Sequence, residues 1–277
     1  MDPGTLKGTS VFDVFSYNGE PIVALRLETL APVVDRFVIV ESRETFSGLL
    51  KDRLWKDVHA DVFAPYADKI EWIVLDSLGD GDAWAREATQ RNAPTEWLRQ
   101  QATPYLALIC DVDEIVSPDV VLQAKAHVGL FHTPVCLTMD FFYYNFEWRK
   151  PSKWYHAYVV NDEGVKSAGG TLDVMRLGSK ECAIPNAGWH CSYFETAAHI
   201  KRKIESFSHQ EHNVPAITSI EHITKCIGNG VDLFNRGPSE DLVAHDVTGL
   251  PLPFQQFNWH IKNMQRMACR QANMQLT

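Results

Sequence analysis

The chain has 277 residues, a formal net charge of −9 and a hydrophobic content of 45%. Its eight Trp, eight Tyr and fourteen Phe need burial, which excludes a mainly disordered protein. The acidic balance argues against nucleic-acid binding, and no apolar run reaches the roughly 18–20 residues of a membrane span. The six scattered cysteines form no CxxC pair, which indicates free thiols in a reducing, cytoplasmic setting.

The first half of the chain alternates strand and helix patterns. Short apolar runs predict strands over residues 11–17, 36–40, 69–75 and 105–110. Helical spacing predicts helices over residues 20–30, 82–101 and 117–128, the second of them interrupted at Pro94. The alternation predicts an α/β fold, with a mostly parallel, twisted sheet flanked by helices.

The second half of the chain predicts a mixed extension of that sheet. A long aromatic strand or hairpin over 134–148 precedes predicted strands over 155–160 and 171–177 and a short strand or loop over 188–194. Helices are predicted near 195–208 and 218–228, and the tail from Pro238 is predicted as loop plus one amphipathic segment. No linker separates the halves, so we expect one domain over 11–277, with halves 11–130 and 131–277. Residues 1–10, rich in Gly, Thr and Ser, are expected to be disordered.

The strongest local pattern is Asp111-Val112-Asp113, directly after the apolar strand YLALIC. Ligands of open α/β sheets bind outside the carboxyl ends of the strands. Two carboxylates one residue apart in a turn can hold a hard divalent cation such as Mg²⁺ or Mn²⁺, and that cation can bridge a diphosphate. A plain turn before a helix is the alternative. The position after a buried strand favours the metal site.

His190, in the segment GWHCSYF (188–194), is a second candidate ligand. Imidazole suits Mn²⁺ as well as Zn²⁺. The alternative is a core histidine packed among its aromatic neighbours. The pair His209-x-x-His212, together with His222, is a weaker zinc pattern, because matching Cys or carboxylate spacing is absent, and a solvated helix end is the favoured alternative.

The predicted helix around REATQRN (86–92) carries polar residues on two faces. Arg86 and Gln90 share one face, as do Glu87 and Arg91. One pair can meet a phosphate or ribose while the other forms a surface ion pair. The alternative is a solvated charged face.

The loop after the second strand is a further candidate. Glu41 ends that strand, where a carboxylate can bond ribose hydroxyls or a uracil edge, and Lys51 can approach a phosphate. A polar surface loop is the alternative.

Aromatic side chains are concentrated between residues 141 and 155, beside Arg149 and Lys150. Aromatic faces with polar edges suit sugar rings, although alternate positions of a strand must also pack the core. The acceptor-binding candidates are Tyr143, Tyr144, Trp148 and Trp154. Asp140 and Glu147 fall on opposite faces of the predicted strand, so at most one of them reaches a common site.

Motifs typical of dinucleotide enzymes, P-loop NTPases, serine hydrolases and zincins are absent from the sequence. Six segments instead occur in a characteristic order: FDVFSYNGE (12–20), VVDRFVIVES (33–42), TFSG (45–48), DAWAREATQRN (82–92), DVDEI (111–115) and GWHCSYF (188–194). Over about residues 11–235 this ordered set resembles glycosyltransferase family 17, the family of the β-1,4-mannosyl-glycoprotein 4-β-N-acetylglucosaminyltransferase.

The resemblance implies a type A glycosyltransferase fold, a UDP-sugar donor, a divalent metal at the aspartate pair and inversion at the anomeric carbon. Asp111 and Asp113 then contact the metal and the diphosphate, and His190 is a further metal or diphosphate partner. Residues 11–130 become the nucleotide-sugar-binding half and 131–277 the acceptor half. The donor-binding candidates are Tyr17, Glu41, Lys51, Arg86, Asn92 and Asp111.

The expected function is therefore metal-dependent transfer, with Mn²⁺ or Mg²⁺, of N-acetylglucosamine from its UDP conjugate to a glycan acceptor. The candidates for the base that deprotonates the acceptor are, in order, Glu147, Asp140 and Glu195. One alternative is a sugar nucleotidyltransferase, although residues 17–20 make a poor glycine-rich phosphate loop. The other is a non-catalytic protein that binds carbohydrate or sugar nucleotide.

Overall fold

A sheet of ten strands organises the part of the chain that the structure describes. The structure is a computed structural model and describes residues 8–102, 104–167, 171–180 and 183–274. The strands are β1 (Ser10–Ser16), β2 (Arg36–Ser42), β3 (Ile70–Leu75), β4 (Tyr105–Ile109), β5 (Glu114–Val116), β6 (Val135–Tyr143), β7 (Trp148–Arg149), β8 (Trp154–Asn161), β9 (Ala183–Ser192) and β10 (Val243–Ala244). Of the segment expected to be disordered, residues 1–7 lie outside the described residues, and Ser10 begins β1.

Helices connect and cover these strands. They are α1 (Val23–Leu30), α2 (Trp55–Val58), α3 (Ala60–Phe63), α4 (Ala83–Asn92), α5 (Thr95–Arg99), α6 (Pro118–Ala126), α7 (Asp162–Ser167), α8 (Leu172–Met175), α9 (Ala197–Ser206), α10 (Pro215–Thr218), α11 (Ile220–Asn229) and α12 (Leu252–Met274). Short 3-10 helices cover Ala64–Lys69, Val128–Leu130, Gln210–His212, Pro238–Glu240 and Val247–Gly249. No helix in the described ranges combines the length and apolar character needed to cross a membrane.

Local chemistry explains where these helices begin and end. Asp82 caps α4 by accepting the N–H of Ala85 at 2.9 Å, and Pro94 separates α4 from α5 as predicted. The strand predicted over 171–177 is wrong, because this segment forms α8. Leu172 and Met175 lie three positions apart and are both buried, which is the spacing of a helix that packs one face.

The strand order is β10-β7-β6-β8-β4-β1-β2-β3, and β9 pairs with both β6 and β5. Strands β4, β1, β2 and β3 are parallel neighbours, which confirms the α/β prediction for the first half. Strand β8 is antiparallel to both β4 and β6, and β9 is parallel to β6. Strands β6 and β9 therefore run in the direction of β4, so the carboxyl ends of β1, β4, β6 and β9 lie at one edge of the sheet.

Candidate functional site

A cleft of about 380 Å³ opens at this shared carboxyl edge. The loop after β4 supplies Asp111 and Asp113, β9 supplies His190, and α4 supplies Arg91. Aromatic side chains form much of the wall: Phe46, Trp84, Phe141, Tyr143, Trp154, Tyr193, Phe207 and Phe234. The sheet topology thus brings Asp113 and His190, which are far apart in the sequence, into one site.

Arg26 of α1 holds the backbone of residues 110–114, which carry Asp111 and Asp113 and are called the aspartate loop below. The Arg26 side chain is fully buried. Its Nε and Nη2 donate to the carboxylate of Asp13 at 2.8 and 2.5 Å. Its Nη1 donates to the carbonyl oxygens of Asp111, Val112 and Glu114 at 2.9, 3.2 and 2.7 Å. Because one guanidinium binds three carbonyls of this loop, it fixes the path along which the two aspartates are presented.

The Asp111 carboxylate faces two guanidinium groups. Arg91 donates to Oδ1 at 3.1 Å, and Arg176 donates to Oδ2 at 2.7 Å. Burial opposes the charge, but Arg176 and Arg91 outweigh it and hold the pKa of Asp111 below its ordinary value. Arg176 also donates to both carboxylate oxygens of Glu114, so it links Asp111 to the interior.

The Asp113 carboxylate has a different pair of neighbours. Lys203 of α9 donates to Oδ2 at 3.0 Å, and the Nε2 atom of His190 lies 3.5 Å from Oδ1. Burial again opposes the charge, but Lys203 and then His190 lower the pKa of Asp113 far below its ordinary value. Asp113 is therefore ionised at neutral pH. Lys203 also lies 3.9 Å from Glu20, so its ammonium group is shared between two carboxylates.

His190 combines a core position with access to the cleft. Its ring lies between Phe141 and Trp154, at centroid distances of 4.6 and 4.0 Å. Its Nε2 faces Asp113 and the hydroxyl of Ser192, the latter at 3.1 Å. Its buried Nδ1 has no hydrogen-bond partner among the described residues. The core interpretation thus describes the packing of this histidine, while its role as a metal or diphosphate ligand stays a prediction.

The residues around Asp113 fit a hard divalent cation. Its Oδ1 and the Nε2 of His190 both line the cleft, and their 3.5 Å separation allows them to share one ion. Mg²⁺ and Mn²⁺ sites commonly use few protein ligands and complete their coordination with water and phosphate oxygens. Asp111 is bound to two guanidinium groups, so it fits a supporting position better than a direct one. Lys203 occupies the other oxygen of this carboxylate, Oδ2, at 3.0 Å.

Three of the predicted donor-binding residues contact the segment that follows β2. The Glu41 carboxylate accepts the N–H groups of Trp55 and Lys56 at 2.6 and 3.0 Å, and Lys51 lies 3.6 Å from it. Tyr17 borders the cleft, and its hydroxyl contacts Nδ1 of His59 at 2.6 Å. These contacts fix the loop between β2 and α3, while the donor contacts of Tyr17, Glu41 and Lys51 stay predictions.

The remaining donor-binding candidates lie at the side of α4. The guanidinium of Arg86 lies over Gly48, and it does not line the cleft. The side-chain oxygen of Asn92 accepts the N–H of Asp173 at 2.9 Å, which ties α4 to α8. Arg91 is the residue of this helix that reaches the aspartate pair.

The structure separates the three base candidates. Glu147 pairs with Lys262 in a different pocket, beside α12. Asp140 lies outside the cleft and accepts a hydrogen bond of 2.6 Å from Lys153. Glu195 is buried, and it lines a pocket of about 410 Å³ that adjoins the cleft.

Burial raises the pKa of Glu195 to about 7, despite the opposing charge of Lys203. Lys203 and Glu20 border both the cleft and the pocket that Glu195 lines, so the two cavities adjoin at these residues.

The structure divides the predicted acceptor residues in two. Tyr143 and Trp154 line the cleft. Tyr144 is buried and donates to the carbonyl of Val231 at 3.0 Å, and Trp148 borders the pocket beside α12. Tyr143 also receives a hydrogen bond from Arg236, at 3.1 Å, so the cleft wall has a basic residue at that point.

Sequence reasoning missed the basic residues that organise the aspartate loop: Arg26, Arg176 and Lys203. Arg26 lies within an apolar helical pattern, and a charge there signals a buried partner. Arg176 and Lys203 carry no comparable local signal.

The cleft lies at the carboxyl ends of parallel strands, which is where open α/β sheets bind their ligands. The fold and the cleft together place the chain in that class of α/β protein. The comparison with protein families is specific. The model of glycosyltransferase family 17 matches residues 5–247, so the chain belongs to that family, and the resemblance is confirmed. The protein is thus a glycosyltransferase, with a sugar donor and an acceptor as its substrates. A search of curated proteins found no match.

Proposed function

We propose that this glycosyltransferase is metal-dependent and inverting, and that it transfers N-acetylglucosamine from a UDP-sugar to a glycan acceptor. The observation that carries the proposal is the pairing of Asp113 with His190 at the carboxyl edge of the sheet, in a cleft with aromatic walls. The family supports the sugar transfer. The choice of N-acetylglucosamine rests on the resemblance of the six ordered segments to that family.

Each group near the donor then has a distinct task. Asp113 and His190 would hold the divalent cation, which supplies positive charge for the departing diphosphate. Arg91 lines the cleft and donates a hydrogen bond to Asp111, so its guanidinium is placed to bind phosphate oxygens beside that carboxylate. Arg176, almost fully buried, positions Asp111 through Glu114 and is a positioning residue.

Glu195 is the base that this geometry supports best. A general base works most efficiently with a pKa near the operating pH, and burial raises the pKa of Glu195 to about 7. Its carboxylate takes the proton of the acceptor hydroxyl as that oxygen attacks the anomeric carbon. The acceptor would enter through the pocket that Glu195 lines beside the cleft. Asp140 and Glu147 are each paired with a lysine outside both cavities.

Calorimetry with UDP tests the donor and metal assignment. Asp113→Asn is compared with Asp140→Asn, which makes the same change at a carboxylate that is paired with Lys153 outside the cleft. We expect wild type and Asp140→Asn to bind UDP in Mn²⁺ and to lose affinity in EDTA. Asp113→Asn should show the weak, EDTA-like affinity under both conditions. Equal UDP affinity with and without the metal contradicts the metal role.

A turnover assay separates the proposal from its alternatives. UDP release is measured over a panel of UDP-sugars and glycan acceptors, and pyrophosphate release is measured with UTP and sugar phosphates. Acceptor-dependent UDP release, greatest with the N-acetylglucosamine donor, supports the proposal. Pyrophosphate release indicates a nucleotidyltransferase, and nucleotide binding with neither product indicates a non-catalytic binder.

A further inference from the structure

The mouth of the cleft carries a turn whose side chains belong to no part of the proposed reaction. After α9 ends at Ser206, the chain forms a short 3-10 helix over Gln210–His212. The Gln210 side chain donates to the carbonyls of Ile204 and Phe207 at 3.3 and 2.7 Å. These bonds tie the turn to the end of α9, so its shape is set by the fold.

Three potential metal ligands project from this turn: His209, Glu211 and His212. In the described ranges they form the one group of three His, Cys, Asp or Glu residues whose ligand atoms all lie within 4.8 Å of one another. Oε1 of Glu211 lies 2.6 Å from Nδ1 of His209 and 3.9 Å from Nε2 of His212. Ligands at about 2.0–2.1 Å from a tetrahedral zinc ion stand roughly 3.3 Å apart. The two observed separations bracket that value, and the ligand atoms of the two histidines lie within 4.8 Å of each other.

The two imidazoles are oriented by aromatic neighbours on either side of the mouth. His209 meets the edge of Trp84 at a centroid distance of 4.5 Å, and His212 stacks on Phe234 at 4.1 Å. The ligand side chains are accessible, with 49% of His209, 57% of Glu211 and 30% of His212 exposed. An ion can therefore reach the group from solvent without unfolding the turn.

We propose that His209, Glu211 and His212 form a second metal site, of the zinc class, at the mouth of the cleft. Two imidazoles and one carboxylate, with a fourth position open to water, are a zinc ligand set, whereas Mg²⁺ prefers oxygen ligands. The site is thus distinct in chemistry from the Asp113–His190 pair. A bound ion fixes the two rings against Trp84 and Phe234, both of which line the cleft. The site does not depend on the identity of the sugar donor.

Cobalt spectroscopy tests this site without any enzymatic assay. Chelator-treated protein, without a polyhistidine tag, is titrated with Co²⁺ in saturating Mg²⁺, and Zn²⁺ is then added. We expect one equivalent of Co²⁺ with the intense visible bands of tetrahedral coordination, displaced by one equivalent of Zn²⁺. His209→Ala and His212→Ala should each weaken binding by at least about tenfold.

Two further variants keep the test decisive. Glu211→Gln preserves the shape of the turn while removing the charged ligand, so it should weaken binding even if an alanine variant is poorly folded. His127→Ala is the matched control, because the His127 side chain is exposed and its Nδ1 lies 2.9 Å from the carbonyl oxygen of Gln123, in α6. It should leave Co²⁺ binding unchanged. Absence of tetrahedral bands in wild type, or equal affinity in wild type and all three ligand variants, overturns the proposal.

Discussion

Arg26 gives the sharpest prediction about stability. Its guanidinium is fully buried, bonds Asp13 through two nitrogens and binds three carbonyls of the aspartate loop. Arg26→Ala leaves the Asp13 carboxylate without its counter-ion at a position where no solvent reaches it. We therefore expect this single change to affect both the fold and the loop that presents Asp111 and Asp113.

The expected cost follows from the contacts. Breaking a buried ion pair by removing one partner costs about 3–5 kcal/mol, because the remaining charge is uncompensated. Each carbonyl left without a partner adds up to about 1–3 kcal/mol, reduced where water fills the space of the lost side chain. We expect a loss of at least about 4 kcal/mol, which is a large part of the usual 5–15 kcal/mol of a folded domain. Arg26→Lys keeps the charge but loses the planar fork, so its loss should be intermediate.

Urea unfolding measures this cost, with Arg43→Ala as the matched control. Arg43 also pairs with an aspartate, its Nε lying 3.0 Å from Asp76, but both side chains are exposed. Such surface pairs contribute about 0–1 kcal/mol, so the control should unfold almost like wild type. If Arg26→Ala unfolds within about 1 kcal/mol of the control, the role assigned to the buried pair is wrong.

Three further predictions address the site. Burial raises the pKa of Glu195 from 4.5 to about 7 in the folded protein. With respect to this group the folded state is therefore most stable below pH 4.5, and that stabilisation is lost as the pH rises from 4.5 to 7. The unfolding free energy of Glu195→Gln should match that of wild type at pH 4.5 and exceed it by up to about 3 kcal/mol at pH 8. The same variant should lose sugar transfer, and the transfer rate of wild type should rise as the pH passes through 7. Gly188 has a φ of +156°, and a Cβ added to it would lie 2.1 Å from the carbonyl oxygen of Ile115. Gly188→Ala should therefore lower the melting temperature sharply. Gly129→Ala is the control and should not, because a Cβ at Gly129 would have no atom within 4 Å. His190→Ala should both destabilise the fold by about 1–3 kcal/mol and lower Mn²⁺-dependent UDP affinity per folded molecule, as measured by thermal melts and calorimetry.

The first half of the fold was predictable because its signals are local. Strands β2 and β4 are buried on both faces, so they appear as continuous apolar runs between polar loops. The proline within the predicted helix 82–101 marks the division between α4 and α5. The position of the aspartate pair was predictable as well, because the pair comes directly after β4 and ligands bind at the carboxyl ends of parallel strands.

The rest could not be predicted because it depends on contacts between distant parts of the chain. Segment 171–177 has short apolar spacing that suits either a strand or a single helical turn, and packing decides for α8. Glu41 does lie at the end of a strand, but its oxygens are occupied by a loop that folds back 14 and 15 positions later. Lys203 reaches Asp113 across 90 positions, which no periodicity encodes.

The charges around the cleft make the proposed anionic donor compatible with a chain of net charge −9. Each aspartate of the pair has at least one basic partner. Asp111 is paired with Arg91 and Arg176, and Asp113 is paired with Lys203. In the proposed function a divalent cation at Asp113 would add positive charge beside Lys203 and Arg91, two cationic groups that line the cleft. The net acidic charge disfavours an extended polyanion, whereas the basic groups gathered in the cleft are suited to the single diphosphate of the proposed donor.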